Sequence, residues 1–119
     1  MINLIKMISL IYINLMKKFK LALLQTKCVA NKEANIKYIS EALEKAAENG
    51  ANVSILGEVC NSPYTKEYML KFAEDFSNSP TLNAIQAICK KSSMYAIGSI
   101  PRKCEEKYFN TAFVVNKAG

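Results

Sequence analysis

Glu58 is the residue whose setting points most directly to chemistry. It follows a short apolar, β-prone run, Val53-Ser54-Ile55-Leu56, after a single glycine, and Asn61-Ser62-Pro63-Tyr64 comes next as a turn. A strand that carries one carboxylate to its tip, with a rigid loop behind it, presents a general base. On spacing alone, a solvated strand-end acid stands beside that reading. Cys60 lies two residues on, where a continuing strand would put both side chains on one face, so it is a candidate nucleophile or a plain turn residue. Lys66 is the nearest cation, and in a polar loop it reads as surface charge. Tyr64 is a candidate substrate-binding residue or an anchor for the loop. Asn110 and Thr111 read as structural hydrogen bonders.

The chain contains no histidine, which removes Ser-His-Asp and Cys-His catalysis and most zinc and iron sites. No metal and no cofactor is expected. The four cysteines, Cys28, Cys60, Cys89 and Cys104, are irregularly spaced with no Cys-x-x-Cys pair, so neither a zinc ribbon nor a redox motif is indicated. Reduced thiols in a cytoplasmic protein are the expectation.

The formal charge of +6 raises the question of nucleic acid. Its distribution argues against that partner. Residues 1–20 hold four lysines and no acid; the other twelve basic residues face ten acidic ones. No basic run interleaved with aromatics follows, so a mixed, solvated surface is expected.

Residues 1–16 are almost wholly apolar and lead into Lys17-Lys18. The unbroken stretch Met7–Met16 is shorter than the ~20 residues a bilayer crossing needs. As a signal peptide it lacks a small-residue cleavage site. Residues 1–18 are therefore read as an apolar and basic extension, with Met16 resembling an ordinary start. A membrane-directed segment and an added structural element remain the alternatives.

Chemistry at Glu58 requires elements that hold it in place. The chain is long enough for one modest domain. Phe19–Gln25 has the pattern of a strand buried on both faces. Residues 31–49 predict a helix, with Ile36, Ile39, Leu43, Ala46 and Ala47 on one stripe, Asn31 as N-cap, Gly50 as the stop and Glu41-Lys45 paired on the wet side. Strand two is Val53–Leu56, and a short helix falls within Tyr64–Ala73. A second amphipathic helix starts at Pro80 after a Ser79 cap and ends at Ser92-Ser93. Met94–Ile100 and Tyr108–Val115 are strands joined by a charged turn over Pro101–Lys107. The expectation is an α/β arrangement of four strands and two main helices. Two helices cover only one face of so apolar a sheet, so the chain reads as the opening part of a larger domain.

The order of these elements and their local motifs resemble the nitrilase, or carbon–nitrogen hydrolase, superfamily, most closely its ω-amidase branch. Phe19–Gln25 is similar to the first strand, and Asn35 stands where the family often has asparagine. Leu56-Gly57-Glu58-Val59-Cys60-Asn61-Ser62-Pro63-Tyr64 resembles the branch's Leu-Pro-Glu-Cys-Phe-Asn-Ser-Pro-Tyr. Ile97–Pro101 and Phe109-Asn110-Thr111 match the motifs of strands three and four. Gly57, Val59 and Cys60 depart from the branch, and the motif around Gly98 is one glycine short.

The resemblance implies residues 19–119 as the amino-terminal part of an α-β-β-α sandwich, dimeric in complete members. It implies a Glu-Lys-Cys mechanism with Glu58 as general base, the lysine and nucleophilic cysteine lying further along than Gly119. It puts Cys60 at a core aromatic position. The implied substrate is a small monoamide of a dicarboxylic acid, hydrolysed with release of ammonia. An inactive fragment or interaction module of the same fold is the alternative.

Overall fold

The computed structural model describes residues 18–119. Most of the extension expected over residues 1–18, and all of its apolar run, lies outside the described residues. The elements in order are β1 (Leu21–Leu24), α1 (Lys32–Glu48), β2 (Val53–Leu56), α2 (Lys66–Phe72), a 3-10 turn at Phe76–Asn78, α3 (Pro80–Ser92), β3 (Tyr95–Cys104) and β4 (Lys107–Val115). They form one four-stranded sheet in the order β1-β2-β3-β4. The first three strands run parallel and β4 returns antiparallel to β3.

The helix ends follow the expected chemistry. The Asn31 side chain accepts the Ala34 N–H at 2.8 Å and Gly50 takes a φ of 77° just past α1. Ser79 caps α3 by accepting the Leu82 N–H at 3.1 Å, with Pro80 in the first turn. One expected pair differs: Glu41 meets Lys37 at 3.7 Å rather than Lys45, on an exposed face where either pair contributes little.

Strands β1, β2 and β3 are laid down in one direction. Right-handed crossovers then bring α1 and α3 to the same side of the sheet. Ile39, Leu43 and Ala46 of α1 and Leu82, Ile85 and Ile88 of α3 pack there against Leu56, Ala96, Ile100, Phe113 and Val115. Among the described residues nothing covers the opposite face. Leu23 is 75% exposed and Val114 68%, so β1 is not buried on both faces as its sequence suggested. The apolar pattern is that of a doubly covered strand; among the described residues the covering is single.

The expected turn over Pro101–Lys107 is also corrected. Strand β3 continues through Pro101 to Cys104, and only Glu105-Glu106 turns. Proline is tolerated because its backbone faces away from β4. Its carbonyl accepts the Glu74 N–H at 3.0 Å, so the missing N–H removes no bond from the β3–β4 ladder. Gly98 is fixed by packing. A β-carbon there would lie 2.8 Å from Phe113 Cζ and 3.2 Å from Leu56 Cβ.

Candidate active site

Strand β2 stops at Leu56 because the chain turns sharply out of the sheet. Val59 adopts a φ of 52°, a left-handed conformation that for a β-branched residue costs about 1–2 kcal/mol. Ser99 of β3 holds the turn. Its hydroxyl accepts the Val59 N–H at 2.8 Å, and its carbonyl accepts the Cys60 N–H at 2.9 Å. Val59 and Cys60 are thereby drawn into the interior, and Glu58 points outward into solvent.

Two side chains reach the Glu58 carboxylate. The Asn110 side-chain amide donates to Oε1 at 2.7 Å, and the Tyr64 hydroxyl lies 3.4 Å from the same oxygen. Asn110 comes from β4, 52 residues away, so the sheet brings it to the turn. Glu58 lines a cavity of about 500 Å³ with Leu23, Ile55, Cys28, Val59 and Tyr64, and among the described residues it is the one charge in that lining. Tyr64 also lines a neighbouring hollow of about 290 Å³ with Lys66, Tyr108, Phe109 and Asn110. An accepting carboxylate on a largely apolar wall, oriented by two donors and open to solvent, can take a proton from an acidic group that enters the cavity.

The other candidates separate. Cys60 is 5% exposed, and burial pushes its thiol up to about 12. A thiol so held is a poor nucleophile. Cys28 is exposed at the cavity wall, and burial of its thiol raises it too, partly offset by a backbone hydrogen bond at Val29. Lys66 makes no ion pair with Glu58 among the described residues and faces the second hollow. Thr111 is half-buried opposite Ile100 in the ladder. Among the described residues no three His, Cys, Asp or Glu side chains are grouped as metal ligands. No helix among them is long and apolar enough to cross a membrane.

A polar network beneath the turn went unread in the sequence. Asn35 is fully buried; its amide donates to the Val29 and Asn61 carbonyls at 2.7 and 3.1 Å, and its oxygen accepts the Val29 N–H at 2.7 Å. Its signal was available, since Asn35 sits four residues before Ile39 on the buried stripe of α1, where a polar residue must be bonded. Buried Glu74 gave no such signal. Its partners come from four separate segments.

The comparisons accord with this geometry. The family profile described as carbon-nitrogen hydrolase matches residues 20–119. The mouse protein named omega-amidase NIT2 is 35% identical over 105 residues, which are 87% of this chain and 38% of that protein. The chloroplastic omega-amidase of Arabidopsis thaliana is 31% identical over 107 residues, 86% of this chain and 29% of its own. The solved structure of Saccharomyces cerevisiae Nit3, described as a member of branch 10 of the nitrilase superfamily, superposes with a TM-score of 0.77 at 24% identity. That match covers 85% of this chain and 41% of Nit3. The chain spans about a third of the length of the curated relatives it matches. With the family profile matched from β1 to the carboxyl end, the chain belongs to the carbon–nitrogen hydrolases.

Proposed function

We propose that this chain supplies the general base, Glu58, of an amide-hydrolysing enzyme of the ω-amidase type, acting on a small monoamide of a dicarboxylic acid. The carrying observation is the Glu58 carboxylate itself: solvent-open, the one charge among the described residues of its cavity lining, and oriented by Asn110 and Tyr64. Residues 19–119 are read as part of the hydrolase domain and residues 1–18 as its extension. Tyr64, touching Glu58 and lining both hollows, is read as a substrate-binding residue.

In this reading the carboxylate takes the proton of a cysteine thiol. The thiolate attacks the amide carbon, and a lysine ammonium stabilises the oxyanion that forms. The same proton passes to the leaving nitrogen and ammonia departs. Glu58 then takes a proton from water as it attacks the thioester, releasing the acid and restoring the thiol. The resemblance puts that lysine and cysteine beyond Gly119, and the whole protein is read as a cytoplasmic homodimer. The four unpaired cysteines support a reducing compartment.

The burial of Cys60 favours a second reading for the 119-residue chain alone, that of a catalytically inert module of the same fold. Both are tested together by measuring ammonia release from small dicarboxylic monoamides. The chain alone is expected to release none; turnover abolished by Glu58→Ala would reverse that expectation. In a longer protein that also carries the family's lysine and cysteine, Glu58→Gln is expected to lower the rate at least ~10²-fold with the fold intact. A near-normal rate removes Glu58 as the base.

A further inference from the structure

We propose that Glu74 is the positioning residue for Glu58, setting its carboxylate from two sides at once. The inference rests on the reading of Glu58 as the base, since it assigns the residue that holds that base in place. Glu74 is 3% exposed and lines neither the cavity at Glu58 nor the neighbouring hollow. Its Oε2 accepts the Ser79 hydroxyl and, at 3.1 Å, the Thr81 N–H. Its Oε1 accepts the Thr81 hydroxyl at 2.8 Å, the Asn61 amide at 3.4 Å and the Lys32 ammonium at 3.5 Å. Every group on both oxygens is a donor.

The first route to Glu58 runs through the side chain. Asn61 is fully buried, and its amide donates to Glu74 and, at 3.0 Å, to the Thr81 hydroxyl, which in turn donates to Glu74. The Asn61 carbonyl accepts from Asn35 of α1. Asn61 lies three residues past Glu58, so this bonding fixes the downstream end of the turn. Ser99 fixes its middle through Val59 and Cys60.

The second route runs through the backbone. The Glu74 N–H donates to the Pro101 carbonyl at 3.0 Å, and its own carbonyl accepts the Lys103 N–H at 3.0 Å. Pro101 is the residue opposite Asn110 in the β3–β4 register. Asn110 is the donor that grips Glu58 Oε1 at 2.7 Å. Side chain and backbone of one residue therefore fix both the turn that carries the base and the strand that orients it.

Glutamine loses at least one of these contacts. Its amide nitrogen would face either the Thr81 N–H and the Ser79 hydroxyl, or the Asn61 amide and the Lys32 ammonium. The Thr81 N–H belongs to a helix backbone and cannot turn away. Merely structural damage would loosen the domain as a whole. Damage to positioning falls on the turn and on Asn110.

The test uses the 119-residue protein, with amide exchange and the Asn110 side-chain amide resonance as readouts, neither of which needs turnover. In Glu74→Gln the Val59 and Cys60 amides are expected to exchange about tenfold faster, while amides of Ile39 and Leu43 keep their protection. The Asn110 resonance is expected to move toward its position in Glu58→Ala, where its acceptor is gone. Leu43→Ala serves as the reference for general destabilisation. Glu74→Gln alters the side-chain route and leaves the Glu74 backbone bonds in place. If it does not fold, Asn61→Ala breaks the same side-chain route at its other end and is expected to give the same local exchange. Uniform loss of protection matching Leu43→Ala, or an unmoved Asn110 resonance, overturns the proposal. Loss of the base assignment would show instead as normal turnover of Glu58→Gln in the longer protein that carries the lysine and cysteine, with these readouts unchanged.

Discussion

Gly98→Ala makes the link between packing and the site measurable. The new methyl carbon would lie 2.8 Å from Phe113 Cζ, so the ring tip must retreat by about 0.6 Å to reach the 3.4 Å of ordinary contact. Phe113 is buried in the core and has little room to move. The second contact is worse placed. Leu56 Cβ, at 3.2 Å, is fixed by the β2 backbone, and Glu58 follows two residues later. Overpacking of this kind costs about 1–3 kcal/mol. In a domain near 100 residues each kcal/mol lowers Tm by roughly 4–8 °C. Phe113→Leu shortens the ring that causes the main clash, at the expense of its own cavity. Denaturant unfolding of wild type, both single variants and the double variant closes the cycle. The double variant is expected to be more stable than additivity predicts by about 1 kcal/mol or more. Additive effects would show that Phe113 is not what reserves this position for glycine.

Three other outcomes follow from the site and its supports. Asn35→Ala orphans the Val29 N–H and carbonyl and the Asn61 carbonyl together, and is expected to cost about 3–5 kcal/mol in denaturant unfolding; a loss below about 1 kcal/mol would mean those groups find other partners. Gly57→Ala is expected to stabilise by about 0.4–1 kcal/mol, because a β-carbon there meets nothing within 4 Å; destabilisation in the same assay would contradict this. The Cys60 thiol sits at about 12 when folded against an ordinary 9.0, so between pH 9 and about 12 the unfolded chain has lost a proton that the folded chain keeps. Its contribution to stability is complete below pH 9 and is lost as pH rises through that window, at up to about 1.4 kcal/mol per pH unit. Cys60→Ala should flatten that slope relative to wild type, and an unchanged slope would place the thiol in water.

The elements with strong local chemistry are legible in the sequence alone. The Asn31 and Ser79 caps, the stop at Gly50 and the α1 stripe each depend on neighbours within a turn of helix, and each is where the sequence put it. The turn over Pro101–Lys107 was misread because proline and charge are local breaking signals. What keeps β3 straight through Pro101 is pairing on both edges, with β4 as far as Cys104 and with the distant backbone of Glu74. Glu58 stood out by its place at a strand end. Asn110 was read as a structural hydrogen bonder, but its pairing with Glu58 was not legible, because only the sheet register brings the two together. Glu74 was invisible for the same reason: its donors come from residues 32, 61, 79 and 81, and their convergence is a property of the fold.

One edge of β3 determines which length changes this chain can accept. Along that edge β2 pairs as far as Ile97, the turn residue Cys60 bonds to Ser99, and Glu74 bonds to Pro101 and Lys103. Three separate segments thus take their positions from alternate residues of a single ruler. Inserting or deleting one residue between Ala96 and Arg102 would reverse which residues face that edge, and would carry Asn110 out of reach of Glu58 at the same stroke. A residue added at Glu105-Glu106 disturbs none of these marks. Sequences that share this architecture should therefore differ in length at the β3–β4 turn and keep strict count along β3.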